Sequence, residues 1–119
     1  MSDSKPANTA MPEAQAIDLR TLVDYQAGTI VSRTLEKKSG GTVTLFAFDQ
    51  GQELSEHSAP FNALLQVLEG QVELMIGGLR ISAAEGFSVL MPANIPHAVF
   101  AATRFKMLLT MIRNPAATP

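Results

Sequence analysis

The sequence predicts an all-β domain, either a sandwich or a closed barrel of short strands, and three observations support this prediction. Glycines recur at short intervals between residues 28 and 86, with prolines at 60, 92 and 96 between or after them. The segments between these breaks alternate polar and apolar residues or are rich in β-branched residues, as strands are. The segment Gln71–Ile76, followed by Gly77-Gly78 and a return segment from Leu79, indicates a β-hairpin. Many short strands with frequent turns are typical of sandwiches and barrels.

In chain order, the predicted strands are 29–35, 42–48, 63–69, 71–76, 79–82, 87–91, 96–101 and 104–112. The segment from Ile17 to Tyr25 combines apolar residues with Asp18 and Asp24, and the sequence leaves open whether it is a short helix or an edge strand. Residues 37–41, which contain two lysines and two glycines, are predicted to form a solvated hairpin turn.

The domain organisation follows from length and composition. A chain of 119 residues is long enough for one core and short for two. Residues 1–15 are rich in Ser, Pro, Ala and Asn and are predicted to form a flexible N-terminal arm. Residues 114–119 have the same character and are predicted to form a flexible tail, which leaves 16–113 as the barrel domain.

Charge and cysteine content exclude several classes of function. Nine basic and eleven acidic residues give a formal net charge of −2, without the basic face that nucleic acids or anionic membranes require. The absence of cysteine excludes disulfides, thiolate metal sites and thiol catalysis. The N-terminal segment has no signal-peptide pattern and no apolar run approaches a membrane span, so the expected location is cytoplasmic.

The strand predicted at 42–48 is apolar on both faces. Three apolar residues lie on one face, and Phe46 and Phe48 lie on the other. Such a strand must be covered twice, by the barrel interior and, we expect, by a partner subunit. The low charged fraction of 17 % and the polar Gln66 within an apolar run also favour a homodimer formed through this sheet, with help from the N-terminal strand.

The chain has two histidines, and each follows a glycine at a characteristic distance. His57 comes six residues after Gly51 and thirteen residues before Gly70. His97 comes eleven residues after Gly86 and directly follows a proline. Each histidine therefore lies near the end of a glycine-to-proline segment of similar design.

This arrangement resembles the cupins, whose motifs read G-x5-H-x-H-x3–4-E-x6-G and G-x5-P-x-G-x2-H-x3-N. Residues 51, 57, 70, 86, 92 and 97 match these motifs at the right spacings. The resemblance covers about residues 28–112. It implies an RmlC-like jelly-roll β-barrel, also called a double-stranded β-helix, with His57 and His97 lining a central ligand pocket.

Four positions depart from the family pattern. Ala59 stands where the second histidine of the first motif falls, and Ala63 stands where its glutamate falls. In the second motif, Asn94 replaces the glycine and Ala101 replaces the asparagine. In metal-binding cupins the ligands are three histidines and a glutamate, so only two of the four carry over.

Two imidazoles alone hold a metal ion poorly, because protein sites for Zn or Fe usually supply at least three donors. Glu56 adjoins His57 and is expected on the opposite face of a strand, while Glu53 shares its parity but lies about 13 Å along the strand. Met91 and Met75 are soft donors, although methionine more often fills a core. The candidate cofactor is therefore a weakly held divalent ion (Zn, Ni, Mn or Fe) on His57 and His97.

Two functions from different classes remain open. The first is a small-molecule-binding barrel without catalysis, because ligands are missing and no acid–base pair of carboxylates is present. The second is a small enzyme of dioxygenase, isomerase or epimerase type, using a metal completed by substrate or a histidine as general base. A regulator's sensing domain is a third possibility, but the chain contains no helix-turn-helix segment. The fold does not choose between them.

Overall fold

The structure, a computed structural model, describes residues 11–113. It contains one short 3-10 helix, Leu19–Leu22, and nine strands. The strands are β1 (Ile30–Lys38), β2 (Gly41–Phe48), β3 (Glu53–His57), β4 (Phe61–Glu69), β5 (Gln71–Ile76), β6 (Leu79–Ala84), β7 (Ser88–Met91), β8 (His97–Ala101) and β9 (Phe105–Arg113).

The strands form two antiparallel sheets that pack face to face. The five-stranded sheet, sheet A, has the order β1-β2-β9-β4-β7, and the four-stranded sheet, sheet B, has the order β3-β8-β5-β6. Strands distant in sequence are neighbours in both sheets, as in a jelly roll. The predicted all-β jelly-roll class is confirmed.

The structure resolves one open choice in favour of a short helix, and two local features differ from the sequence prediction. Within the open segment from Ile17 to Tyr25, a 3-10 turn begins after Asp18, whose carboxylate accepts the backbone N–H of Arg20. Strand β3 has no counterpart among the predicted strands. The two lysines at 37 and 38 lie at the end of β1, and Ser39 and Gly40 alone form the turn.

The main core lies between the two sheets. Residues at odd positions of β4 and β9 face it from sheet A, and alternate residues of β5 and β8 face it from sheet B. Its aromatic part lies where β2 ends and β9 begins: the rings of Phe48 and Phe105 stack with centroids 4.6 Å apart. Both side chains are fully buried.

A second apolar cluster covers the outer face of sheet A at β1 and β2. Leu45 and Ala47 are fully buried there, beneath Val23 and beside Leu35. The prediction that a partner subunit covers the apolar face of β2 has to be corrected for these residues. The chain's own segment before β1 covers them, since a short helix and extended residues fold back over the sheet.

A polar clasp holds this N-terminal segment against sheet A. The Tyr25 hydroxyl donates a hydrogen bond to Glu69, and the cations of Arg104 and Lys106 lie 5.2 Å and 4.9 Å from the centre of the Tyr25 ring. The Lys106 ammonium also donates to the backbone oxygen of Arg20 at 2.6 Å. Burial, reinforced by the hydrogen bond to Glu69, raises the pKa of the Tyr25 phenol, so the hydroxyl stays protonated and remains a donor.

The turn between β4 and β5 requires its glycine. Gly70 has a positive φ of 83°, and a Cβ atom placed there would lie 2.1 Å from the carbonyl oxygen of Arg104. Only glycine fits at this motif position, because the turn between β4 and β5 passes very close to the backbone of Arg104.

The predicted terminal arm and tail stay predictions. Residues 1–10 of the arm and 114–119 of the tail lie outside the described residues. Met11 is described, and its backbone N–H donates to Leu35 while its side chain packs against the second cluster. Over residues 11–113, no helix has the length and apolar character needed to cross a membrane.

Asp49 connects two distant loops at the end opposite the histidines. Its carboxylate accepts the backbone N–H of Gly28 at 2.6 Å and the Arg104 Nε–H at 2.8 Å. These hydrogen bonds, with that of Gly28 contributing most, lower the pKa of Asp49 to about 2. The ionised form is therefore favoured by folding.

This contact predicts a pH dependence of stability. Because the pKa of Asp49 is lower in the folded than in the unfolded chain, its contribution is complete above about pH 4 and is lost as the pH falls towards 2. The Asp49→Asn variant should therefore be less stable than the parent at pH 7, and the gap should narrow below pH 4. Urea unfolding of both proteins across this range measures the gap, and a constant difference would contradict the assignment.

Candidate ligand-binding site at the barrel mouth

The two histidines are direct neighbours across the β3–β8 pair. His57 lies opposite His97 in the register, and the centres of their rings are 4.4 Å apart in an edge-to-face arrangement. His97 shares its face of β8 with Val99 and Ala101, which are buried in the main core. The His97 side chain is buried, with 9 % exposed, whereas His57 is exposed at the rim.

A one-residue bulge in β3 places His57 on this inner face. Leu54 pairs with Val99 and His57 pairs with His97, so three steps along β3 match two steps along β8. Leu54 packs against the main core, and without the extra residue Glu56 would have taken the position opposite His97. The bulge thus replaces a carboxylate with an imidazole at the mouth of the barrel.

The bulge also corrects an expectation about Glu53. Equal spacing along an unbroken strand put Glu53 on the same face as His57, but the register pairs Glu53 with Phe100, an exposed residue of the outer face. Glu53 is therefore separated from the histidines by the sheet itself as well as by distance.

Both rings are anchored through the same nitrogen. The Nδ1 atom of His57 lies 2.8 Å from the carbonyl oxygen of Ser55, and that of His97 lies 3.3 Å from the carbonyl oxygen of Ile95. A carbonyl oxygen can only accept, so each Nδ1 carries a proton. In the neutral rings Nε2 then holds the lone pair, and that atom is the one left for a ligand.

Sheet A faces the histidines with an aromatic ring and a cation. Phe61 and Arg113 are paired across β4 and β9, and the Arg113 guanidinium lies over the Phe61 ring, 5.0 Å from its centre. By strand alternation both continue the inward-facing rows of their strands, beyond Ala63 and Met111, and at this rim Phe61 is half-buried and Arg113 is exposed. One row deeper, Met91 pairs with Ala63 and completes the apolar floor.

Loop contacts show that these residues share one end of the barrel. The loop before His97 is held by two hydrogen bonds, from the Asn94 N–H to the Ala59 oxygen and from the Ala93 N–H to the Asn62 carboxamide. Asn62 adjoins Phe61. We call this end, with His57, His97, Ile76, Phe61, Met91, Met111 and Arg113, the barrel mouth.

Asn94, which replaces a family glycine, retains the backbone conformation that the glycine position favours. Its φ is 66°, in the left-handed region that asparagine tolerates better than other side chains. The backbone of the loop before His97 therefore has the conformation expected for the family glycine, although the residue is asparagine.

The residues present do not fit a resident metal ion. Within residues 11–113, no three His, Cys, Asp or Glu side chains come together as a metal site would need. Ala63 is on the inner face between Met91 and Met111, and it offers no donor. Met91 faces inward and is buried, but Met75 lies on the outer face of sheet B opposite Arg80. His57 and His97 supply two donors and no more.

Among the surface cavities of the described residues are four that neither histidine lines. Their volumes are about 290, 310, 770 and 220 Å³, and the largest separates the N-terminal segment from the outer face of sheet A. The inward-facing residues below the mouth fill the barrel, so a ligand at the histidines would sit at its rim. The binding role of the two histidines stays a prediction.

Comparison with known families decides the classification. Residues 44–113 match the family model described as the cupin domain. This chain belongs to the cupin family. The match spans β2 to β9, and with them both histidines.

Solved cupins and related proteins share the fold over most of the chain. A conserved protein of unknown function from Streptococcus pyogenes is 33 % identical, with a TM-score of 0.86, and the alignment covers 96 % of this chain and all of that one. A cupin superfamily protein from Desulfitobacterium hafniense is 23 % identical, with a TM-score of 0.83 and coverage of 87 % and 95 %.

A longer protein is also similar. The Cupin 2 conserved barrel domain protein from Leptotrichia buccalis is 39 % identical with a TM-score of 0.79, over 82 % of this chain. The present chain spans 47 % of that protein's length. Among curated proteins, none is similar enough to count as a match.

Sequence reasoning missed two residues of the mouth, Phe61 and Arg113. The alternation of β9 is a signal that could have identified Arg113. Its odd-numbered residues from Phe105 to Met111 are apolar, and Arg113 is the next residue in that row.

Proposed function

We propose that this cupin is a small-molecule-binding barrel whose ligand sits at the barrel mouth and contacts His57 and His97. The observation that carries the proposal is the bulge in β3, which turns a second imidazole inward beside the buried His97. A bulge next to a site is a common way of aiming a side chain. Two Nε2 atoms held by their backbone anchors form a paired polar contact above an apolar floor.

Binding without catalysis fits the groups present better than the enzyme alternative. Each imidazole is oriented by a backbone carbonyl and not by a carboxylate, which would strengthen it as a base. An enzyme using one histidine as general base is the second candidate. The free Nε2 supports it, and turnover of a bound compound would favour it.

Methionine methyl groups provide a direct test of the proposed site. Met91 and Met111 face the mouth, whereas Met75 lies on the outer face of sheet B. In NMR spectra of methyl-labelled protein, organic fragments of neutral, anionic and cationic classes should shift the Met91 and Met111 signals and leave Met75 unmoved. His57→Ala should weaken binding about fivefold, because one polar contact is lost.

The control for this test is Gln71→Ala, an exposed residue at the start of β5, which should bind as the parent does. Fragments that move Met75 and spare the two mouth signals would place binding elsewhere and contradict the proposal.

We propose that the two histidines bind a divalent metal ion only weakly. Two imidazoles would leave the remaining positions of Zn, Ni, Mn or Fe to water or ligand. Ala63 is buried, with 5 % exposed, so a glutamate there would lack a partner unless a cation were bound.

Restoring the family ligands should therefore couple stability to metal. The double variant Ala59→His and Ala63→Glu should lose about 3 kcal/mol of stability without metal and regain most of it when Zn or Mn is added. Ala83→Glu, at a similarly buried alanine deeper in the barrel, should lose stability without any rescue by metal. Melting curves with and without metal measure this, and tight metal binding by the parent would show that a ligand has been missed.

We also propose a homodimer through the part of sheet A that the N-terminal segment leaves open. Leu90 and Ile112 are each 59 % exposed on the outer face of sheet A, and Leu64 lies beside both Leu90 and Thr110. These residues and Gln66, which together we call the outer patch, carry no charge. A second copy related by a two-fold axis would meet it with the same uncharged surface.

Substitution within the outer patch should separate the subunits. Sedimentation at micromolar concentration should show a dimer for the parent and a monomer for Leu90→Glu, because a buried unpaired carboxylate at the centre of an interface is costly. The control is Leu79→Glu, which alters a leucine that is 68 % exposed on sheet B and should leave the dimer intact. A monomeric parent would refute the proposal.

A further inference from the structure

The barrel mouth contains a cation one inward row away from the position where metal-binding members of the family have a glutamate. Arg113 lies on the inner face of β9, two residues beyond Met111, and its guanidinium rests on Phe61. The family's glutamate position, Ala63, is in the next inward row of β4. Adjacent inward rows of a strand are about 7 Å apart, so the arginine and the missing carboxylate belong to one small region.

Strand β3 has two acidic residues, and Glu53 faces away from the mouth, because it is paired with the exposed Phe100 on the outer face. Glu56 lies within the bulge and is exposed. Among the inward-facing residues of β3, β4, β8 and β9 that define the mouth, Arg113, His57 and His97 are the ionisable groups. The charge that they can carry is positive.

The guanidinium is suited to an oxyanion. It offers two parallel N–H donors that match the two oxygens of a carboxylate. A divalent cation at this end of the barrel would instead meet the positive guanidinium.

From these contacts we infer that the barrel mouth binds a small organic carboxylate, with its oxygens at Arg113 and its apolar part against Phe61, beside His57 and His97 and above Met91 and Met111. This inference rests on the proposed function and names the class of its ligand. The ring of Phe61 lies beneath the guanidinium, and the methionines lie one row deeper. The ligand therefore carries its charge and its apolar group side by side at the rim.

The test compares benzoate with benzamide, which has the same shape and no charge. The Met91 and Met111 methyl signals report binding, and the Met75 signal is the internal control. Benzoate should bind at least about tenfold more tightly than benzamide, since a hydrogen bond to a charged group contributes more than one to a neutral group.

Arg113→Gln should remove most of this preference and weaken benzoate binding about tenfold, with benzamide little changed. Arg113→Lys, which keeps the charge and loses the paired donors, should lie between the two. The matched control is Arg80→Gln, which removes the same charge from the outer face of sheet B and should leave benzoate binding unchanged. The Met107 methyl signal, deep in the core, verifies that each variant is folded.

Failure of this inference is distinguishable from failure of the proposed function. Equal shifts of the mouth signals by benzoate and benzamide would uphold a ligand site and overturn the preference for carboxylate. A Zn ion that shifts the mouth signals at lower concentration than benzoate would overturn it in favour of a cation. Mouth signals that respond to no fragment of any class would overturn both. An equal loss of benzoate affinity in Arg113→Gln and Arg80→Gln would mean that only the net charge of the protein matters, and this result would also overturn the inference.

Discussion

The extra residue in β3 is the constraint on which the site depends. Side chains of a strand alternate between its faces, so a shift of one residue exchanges the inward set for the outward set. Leu54 needs to face the core, and without the bulge the same parity would direct Glu56 inward and His57 outward. The bulge satisfies the core with Leu54 and still places an imidazole beside His97. A carboxylate opposite His97 would have given the mouth the opposite charge.

The mouth is supported by two layers of packing that are independent of it. Below it, the stacked rings of Phe48 and Phe105 are fully buried in the main core. Behind sheet A, the N-terminal segment seals Leu45 and Ala47, and the Tyr25 clasp holds that segment in place. The inner and outer clusters therefore fix β2 and β9 from both sides, and β9 delivers Arg113 to the rim.

Much of the barrel could be predicted from glycine spacing and alternation, because turns and period-two patterns are local signals. The positions of His57 and His97 followed from the family motifs, and the register brings the two rings together. The cover of Leu45 and Ala47 could not be predicted, since nothing in an apolar strand face says whether its own chain or another molecule will cover it. The bulge could not be predicted either. Leu54 faces the core with or without it, and the two arrangements of β3 differ only in whether His57 or Glu56 lies opposite His97. Arg113 was missed because it ends a strand whose other inward residues are apolar.

Strand β3, which provides His57, lies at the edge of sheet B and forms its sheet pairing with β8 alone. It is five residues long and interrupted by the bulge, so few hydrogen bonds hold it in place. Short edge strands open more readily than central ones, and the ligand contact exists only while the strand is closed. The ligand's apparent affinity is then reduced, because only molecules with β3 paired to β8 can bind it. A ligand that contacts both His57 and His97 in turn shifts the equilibrium towards the paired strand. The same edge that admits a ligand thus makes occupancy of the mouth visible as slower amide exchange along β3.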